Sequence, residues 1–358
     1  MTFADLPQPF TRVDALAMGL GRRALDEALR LQEIHRAHRG LYAVTHPPDP
    51  SLESWQVTTQ EHLQRLRETL ARLPGHVASH TSAALLHGIA VMISPDSPVE
   101  VTALDRCPRS WREEGLVVHH SDSHDIPVEM LEGLRVTTLP RTVADTLRTR
   151  TLPHGTALVD DVLRSGRLTE REILDALAPM KGWRGRPRAL VAVQLSDPRR
   201  ESWLESFSDV TLYQRGIPLP LVQVTILDEW KRFVARTDGF DEEHGIYSEA
   251  DGEGKYFLRM ALGATAEESV ATTLAAERTR AVGLERLGLR GVRWTWPEIS
   301  TVPDEVAGRV MALRHAPVPE LKGYAVWNGQ VLPLPFRVER PHIDLEKART
   351  RRPLRRPR

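Results

Sequence analysis

Thiol chemistry rests on one residue, Cys107. A lone cysteine excludes an intramolecular disulfide and a cysteine-built zinc cluster, and it fits a reducing compartment. Neither sign of charge is in excess: 48 basic and 48 acidic side chains give a formal net charge of zero. Any nucleic-acid surface must therefore come from local segregation of charge. Nowhere does the chain run for the roughly 18 consecutive apolar residues that a membrane-spanning helix needs. Met1 is followed by Asp5, prolines and a short polar stretch, so no secretory signal is expected and a cytoplasmic location is. What is present, 41% hydrophobic and 27% charged residues over 358 positions, describes a globular chain of two or three domains.

Residues 1–48 carry a compact pattern. Thr11 is a good helix cap before RVDALAMG, Gly19 and Gly21 interrupt, and RRALDEALRLQ forms a second helix. In EIHRAHRGLYAV, Ile34, Leu41, Tyr42 and Val44 favour extended chain on either side of an Arg39-Gly40 turn. Helix, tight turn, helix and hairpin make a winged helix-turn-helix pattern. Five arginines (22, 23, 30, 36 and 39) stand against Asp26, Glu27 and Glu33, and five minus three leaves an excess of two positive charges. In such folds the second helix enters the major groove and the hairpin touches phosphate, so Arg22, Arg23 and Arg39 are the candidate DNA contacts. The plainer alternative is a small helical domain with ordinary surface arginines.

Residues 49–180 are expected to form an α+β middle domain. A long amphipathic helix over 51–73 leads to GHVASHTSAALLHGI, where Ser79 or Thr81 caps a short helix. Strands follow at 98–104, 115–121 and 133–139, then helices in TVADTLRT and GTALVDDVLRSG. HHSDSHD (119–125) has metal-ligand chemistry, but His119 and His120 are adjacent and on a strand face opposite ways. Residues 181–200, KGWRGRPRALVAVQLSDPRR, are basic and broken by Gly and Pro, which marks a linker.

The acidic stretch YSEADGEGKY (247–256) is the strongest chemical signal. A helix in ESWLESFSDVTLYQRGI precedes three extended segments, LVQVTIL, RFVARTDGF and HGIYSEADG. By the period of two, Glu249 and Asp251 share one strand face, and Asp238 lies on the strand before. Convergent carboxylates suit Mg²⁺, which polarises a phosphodiester and lowers the pKa of bound water. Lys255 is placed to stabilise charge on a phosphate or orient a water. The GxGK look of Gly252–Lys255 is not a P-loop, because Glu249 and Tyr256 stand where glycine and Ser/Thr are required.

These segments, with AAERTRAVGLERLGLRGVRWTWPEI, resemble the C-terminal domain of actinobacterial proteins related to very-short-patch-repair endonucleases, of the PD-(D/E)xK nuclease-like fold. RRALDEALRLQEIHRAHRGLYAV and ASHTSAALLHGI are similar to the winged-helix and middle parts of AbiEi-type antitoxins of type IV toxin/antitoxin systems. The resemblance implies a restriction-endonuclease-like α/β core over 201–300, with Asp238 as first acidic ligand, Glu249 as second and Glu205 as the acid of the leading helix. Its usual lysine, two residues past the second acid, is Asp251 here. Lys255 taking that role, Glu253-Gly254-Lys255 as the literal ExK, and an inactive site all stay open.

Residues 301–340 read as a C-terminal helix and an Asn-Gly hairpin, and 341–358 as a basic disordered tail with six arginines in its last ten positions. A multidomain α+β protein with three functional readings results. One is a DNA-binding, antitoxin-like regulator carrying a nuclease-like domain. The others are a Mg²⁺-dependent DNA endonuclease targeted by its winged helix, and a partner that neutralises a cognate toxin protein without chemistry.

Overall fold

The structure, a computed structural model, describes residues 2–46, 51–104, 109–121, 126–251, 278–340 and 343–348. The chain divides into two compact units, Met1–Thr149 with Arg171–Lys181, and Arg150–Glu170 with Gly182–Arg358. Helices and sheets are mixed throughout. None of the described helices is long and apolar enough to cross a membrane.

The first unit opens with β1 (Phe10–Thr11), α1 (Arg12–Ala17), α2 (Arg22–Arg30), β2 (Ile34–His38) and β3 (Leu41–Val44). The expected cap is in place: the Thr11 hydroxyl accepts from the Asp14 amide, and the Asp14 carboxylate accepts from the Thr11 amide at 2.7 Å. Gly40, at φ +78°, makes the β2–β3 turn that a side chain would resist. The three strands form an antiparallel sheet in the order β1-β3-β2, and Phe10, Ala15, Leu25, Ala28, Ile34 and Tyr42 fill a core between sheet and helices.

The remainder of this unit holds α3 (Ser54–Arg72), β4 (His76–Ala78), α4 (His80–Leu86), β5 (Val99–Ala103), β6 (Trp111–Glu113), β7 (Leu116–His119), β8 (Val128–Leu131), β9 (Leu134–Thr137) and α5 (Leu139–Thr149). Ser79 is the N-cap of α4, one of the two positions expected. Six strands join as β6-β7-β5-β4-β9-β8, with β5–β7 and β4–β9 parallel. The expected strands are β5, β7 and β9. Strands β4 and β6 are only three residues long, too short for an alternation to show, and β6 and β8 carry no buried residue to mark a face.

The second unit contains α6 (Leu152–Arg164), α8 (Arg186–Leu195), α9 (Trp203–Tyr213), β10 (Leu221–Leu227), β11 (Phe233–Asp241), β12 (Ile246–Asp251) and β13 (Arg290–Thr295). Helical residues 278–286, helices Trp296–Thr301 and Pro303–His315, and strands β14 (Tyr324–Trp327) and β15 (Gln330–Pro333) complete it; α7 (Glu170–Leu177) lies where the chain passes between units. Two departures from expectation concern its limits. The stretch read as a linker at 181–200 contains α8, whose Ala189, Val191, Ala192, Val193 and Leu195 are buried. The hairpin read as an extension is part of the main sheet, because β14 pairs with β10. Asn328 and Gly329, both at positive φ, form its turn as expected.

Its six-stranded sheet runs β13-β12-β11-β10-β14-β15, with β12 and β13 parallel. One apolar cluster joins Leu221, Val224, Ile226, Ala235, Phe240 and Tyr247 to Leu284 of the 278–286 helix. A second joins Ile246, Ala250, Val292 and Trp294 to Phe207 of α9 and Val306 of the Pro303–His315 helix. Strand β12 alternates between the clusters, as a strand buried on both faces must. Trp294 is core on β13, whereas Trp296 starts the next helix and packs edge-on against Phe207.

A buried guanidinium ties the helices of this unit together. Arg200 is 2% exposed, and its Nε donates to Asp209 Oδ2 of α9 at 2.8 Å. Its Nη1 reaches Asp160 Oδ2 of α6 at 3.0 Å and the Leu195 carbonyl at the end of α8 at 3.1 Å. Burial pushes both aspartates up to about 6 against the pull of that arginine. Removing the cation leaves two carboxylates without it in the interior. Arg200→Met should lower the stability of this unit by roughly 3–5 kcal/mol, measured as a shift in urea midpoint, and Asp209→Asn in that background should restore part of the loss.

Candidate functional site

The acidic residues singled out in the sequence converge on one end of the second unit's sheet. Helix α9 begins at the Ser202 cap, whose hydroxyl accepts from the Glu205 amide at 3.1 Å, so Glu205 sits in the first turn where negative charge is favoured. Its Oε2 accepts from the Glu201 amide at 2.9 Å and from Gln223 Nε2 of β10 at 3.1 Å. Burial, and then the negative charge of Asp238, push the Glu205 carboxyl above its ordinary value.

Asp238 stands opposite Gln223, in the gap between the paired residues Val222–Gly239 and Val224–Thr237. Both strands lose their alternation across this stretch. Leu221 and Val224, three apart, enter the same core, as do Ala235 and Phe240, five apart. Odd spacings on one face require a slip of phase. Gln223 supplies it in β10 with φ +55°, a left-handed conformation uncommon for a side chain-bearing residue. Nothing in the alternation of LVQVTIL announces this, and Gln223 carries no sign of it in its residue type.

Beyond the Gly239–Ser248 pair, β12 leaves β11 and continues paired to β13 alone. The Ala250 amide in that segment donates to Asp238 Oδ2 at 3.3 Å. Glu249, 1% exposed, forms ion pairs with Arg280 of the 278–286 helix and with Arg293, its register partner on β13. Arg293 also lies 3.7 Å from Asp251, so Glu249 and Asp251 do share a face. Arg280 donates further to the Arg236 carbonyl, and Arg236 pairs with Glu201 at 2.7 Å. Lys255 and Glu253 lie outside the described residues, as does the 349–358 tail.

Asp238 and Glu249 thus occupy neighbouring strands in different electrostatic settings. The Glu249 oxygens face two guanidinium groups, which is a poor setting for a cation ligand. Glu205 and Asp238 have no Lys or Arg ion-pair partner among the described residues. No group of three or more His, Cys, Asp or Glu among those residues is arranged to hold a metal ion.

In the first unit Arg22 and Arg23 occupy the first turn of α2, both exposed, with Arg22 3.6 Å from Asp26. Arg39 is exposed at the β2–β3 turn, and Arg36 lies over the Tyr42 ring. A separate polar cluster surrounds the start of α4. The buried His80 ring stacks on His119 with centroids 3.5 Å apart, and His119 Nε2 is 3.1 Å from Glu100 Oε1. Glu100 also accepts from the Thr81 amide at 3.1 Å. Burial and His119 push His80 down to about 4. Burial alone would raise the Glu100 carboxyl, but the His119 hydrogen bond and His80 hold it below the usual range. Of HHSDSHD, residues 122–125 lie outside the described residues.

Both arrangements make measurable demands. Arg293→Met should destabilise the second unit by roughly 1–3 kcal/mol, because it strips one partner from a buried carboxylate; Glu249→Gln in the same chain should recover most of that in urea unfolding. For His80, the folded state resists the proton that the unfolded chain accepts near its ordinary pKa of 6.5. Stability is therefore full above that pH and falls as pH drops from about 6.5 towards 4, by roughly 3 kcal/mol. His80 holds a left-handed backbone at φ +51°, so His80→Asn, which tolerates that conformation, should flatten the urea midpoint across this interval.

No protein-family model matches the chain. Two uncharacterized proteins of Mycobacterium tuberculosis, one from strain CDC 1551 / Oshkosh and one from strain ATCC 25618 / H37Rv, are similar to it. Each is 28% identical over 206 residues, which is 57% of this chain and 69% of the relative.

Proposed function

We propose that the chain is a DNA-binding, antitoxin-like regulatory protein. In this reading residues 1–48 are a winged helix-turn-helix, and the second unit has a restriction-endonuclease-like core that serves recognition or assembly. A toxin protein is the partner such a regulator would carry. The observation that carries the reading is the exposure of Arg22 and Arg23 at the N-terminal end of α2, together with Arg39 at the tip of the β2–β3 hairpin. A recognition helix meets base edges with its N-terminal residues, and a wing meets the phosphate backbone. The antiparallel order β1-β3-β2 behind α1 and α2 supports that arrangement.

Regulation is preferred to cleavage because of Glu249. A nuclease of the kind resembled uses this carboxylate on a Mg²⁺ ion, and here it is engaged by Arg280 and Arg293. In mobility-shift titrations on duplex DNA, replacing Arg22 and Arg23 with alanine should reduce affinity and lower the slope of log affinity against log salt by about 2, while Arg39→Ala lowers it by about 1. Plasmid DNA incubated with the protein and Mg²⁺ should stay intact. Unchanged salt slopes in folded variants would remove the DNA-binding assignment, and Mg²⁺-dependent nicking that disappears in Glu249→Gln would favour the endonuclease.

A further inference from the structure

We propose that Asn328 is a site of spontaneous covalent modification, where the Gly329 amide displaces the side-chain amide and Arg199 directs the product to a normal aspartate. The reaction turns a neutral side chain of the β14–β15 hairpin into a carboxylate, and it is independent of DNA binding by the first unit.

Asn328 is the single asparagine of the chain, and glycine follows it. Both residues are exposed at the turn between β14 and β15, with φ +49° and +74°. That conformation explains the residue types, since Asn and Gly are the pair that a two-residue hairpin turn prefers. The same pair is prone to imide formation, because glycine places no side chain beside the attacking nitrogen. A Cβ at Gly329 would meet no atom within 4 Å, so the nucleophile stands in open space. Ring closure needs the Gly329 nitrogen to approach Asn328 Cγ. Strand β15 ends the sheet order, so the turn opens for this without disturbing the ladder beyond β14.

Turn chemistry does not account for Arg199. Its Nε and Nη2 donate to Asp197 at 2.9 and 2.7 Å, and its guanidinium lies 5.4 Å from the centre of the Trp327 ring. Its Nη1 donates to Asn328 Oδ1. The carboxylate and the ring thus hold the cation against the oxygen that gains charge when Cγ is attacked. A donor placed there before the reaction stabilises the oxyanion.

In the first step the Gly329 nitrogen bonds to Cγ and the bond from Cγ to the side-chain nitrogen breaks. That nitrogen leaves as ammonia, taking the proton of the Gly329 amide. One water then opens the five-membered imide. Addition at Cγ breaks the new C–N bond and leaves an aspartate on an unchanged backbone. Addition at the main-chain carbonyl leaves an isoaspartyl link, whose longer backbone does not fit a two-residue turn. Arg199 activates Cγ and not the main-chain carbonyl, and it gains a charge-assisted partner in the aspartate carboxylate. Both effects select aspartate.

Incubation of the full chain in mildly alkaline buffer, followed by peptide mapping, tests the site, with a synthetic peptide of residues 324–333 as reference. The fragment containing Asn328 should gain about 1 Da by mass spectrometry. Chromatographic separation of the two products should show a smaller share of isoaspartate from the protein than from the peptide. Arg199→Met should slow conversion about three- to tenfold and raise the isoaspartate share towards that of the peptide. Arg199→Lys, which keeps a cationic donor, should fall between wild type and Arg199→Met, and it keeps the test valid if the latter fails to fold. Asn328 unchanged after the peptide has converted would overturn the proposal. So would a rate and an isoaspartate share that neither Arg199 variant alters.

Discussion

One buried cation organises the second unit. Arg200 draws on α6 through Asp160, on α9 through Asp209 and on the last carbonyl of α8, so one guanidinium holds three helices. Asp160 is held in turn by the Asp197 amide at 2.7 Å, so the carboxylate is satisfied on both oxygens. A guanidinium suits this place better than an ammonium because its planar fork reaches several acceptors in fixed directions. Fixing α9 fixes the direction of its first turn, and Glu205 lies one helical turn before Asp209. The position of the acidic site is therefore set by a charge network about one turn away from it, while Trp294 donating to Ser208 at 2.8 Å seats the same helix on the sheet.

The site itself exists because two strands abandon regular alternation together. In an unbroken ladder, a residue opposite Asp238 would put its side chain on one face by parity alone. The left-handed backbone of Gln223 changes that parity and turns a strand residue towards the start of α9. Conformations of this kind cost of order 1–3 kcal/mol and persist where surrounding structure over-determines them. Here the surroundings are Leu221 and Val224 on one side and Phe240 on the other, all within one apolar cluster. Packing of the core holds the irregularity that the polar site uses.

Legibility in the sequence followed the range of the interaction. The Thr11–Asp14 cap, the Gly40 turn and the Asn328-Gly329 hairpin are local chemistry, and each lies where its residues indicate. The face shared by Glu249 and Asp251 follows from a period of two. Arg200 reads differently: within KGWRGRPRALVAVQLSDPRR it looks like one more solvated charge, yet its acceptors Asp209 and Asp160 are 9 and 40 residues away. Composition suggested a linker where apolar residues of α8 are buried, because the glycines, prolines and arginines around them dominate the local pattern. Strand β14 joins β10 across about a hundred residues of sequence, and no periodicity encodes that pairing. Gln223 shows the same limit at its sharpest, since a left-handed backbone in a non-glycine residue leaves no trace in residue type.

Asp238 and Glu249 illustrate how strand topology decides the role of an acid. After Ser248, β12 has given up β11 as a partner, and the Ala250 amide finds the Asp238 carboxylate instead of a strand carbonyl. That departure commits β12 to its parallel neighbour and places Glu249 beside Arg293 in register. The helix over 278–286, returning the chain to β13, adds Arg280 to the same carboxylate. One acid thus supports the splitting of the strands, and the other receives its counter-charge as a result of that splitting. Carboxylates on neighbouring strands are separated by what the sheet does between them: Glu249 joins a cationic cluster, and Asp238 accepts from the Ala250 amide and adds its negative charge to the setting of Glu205.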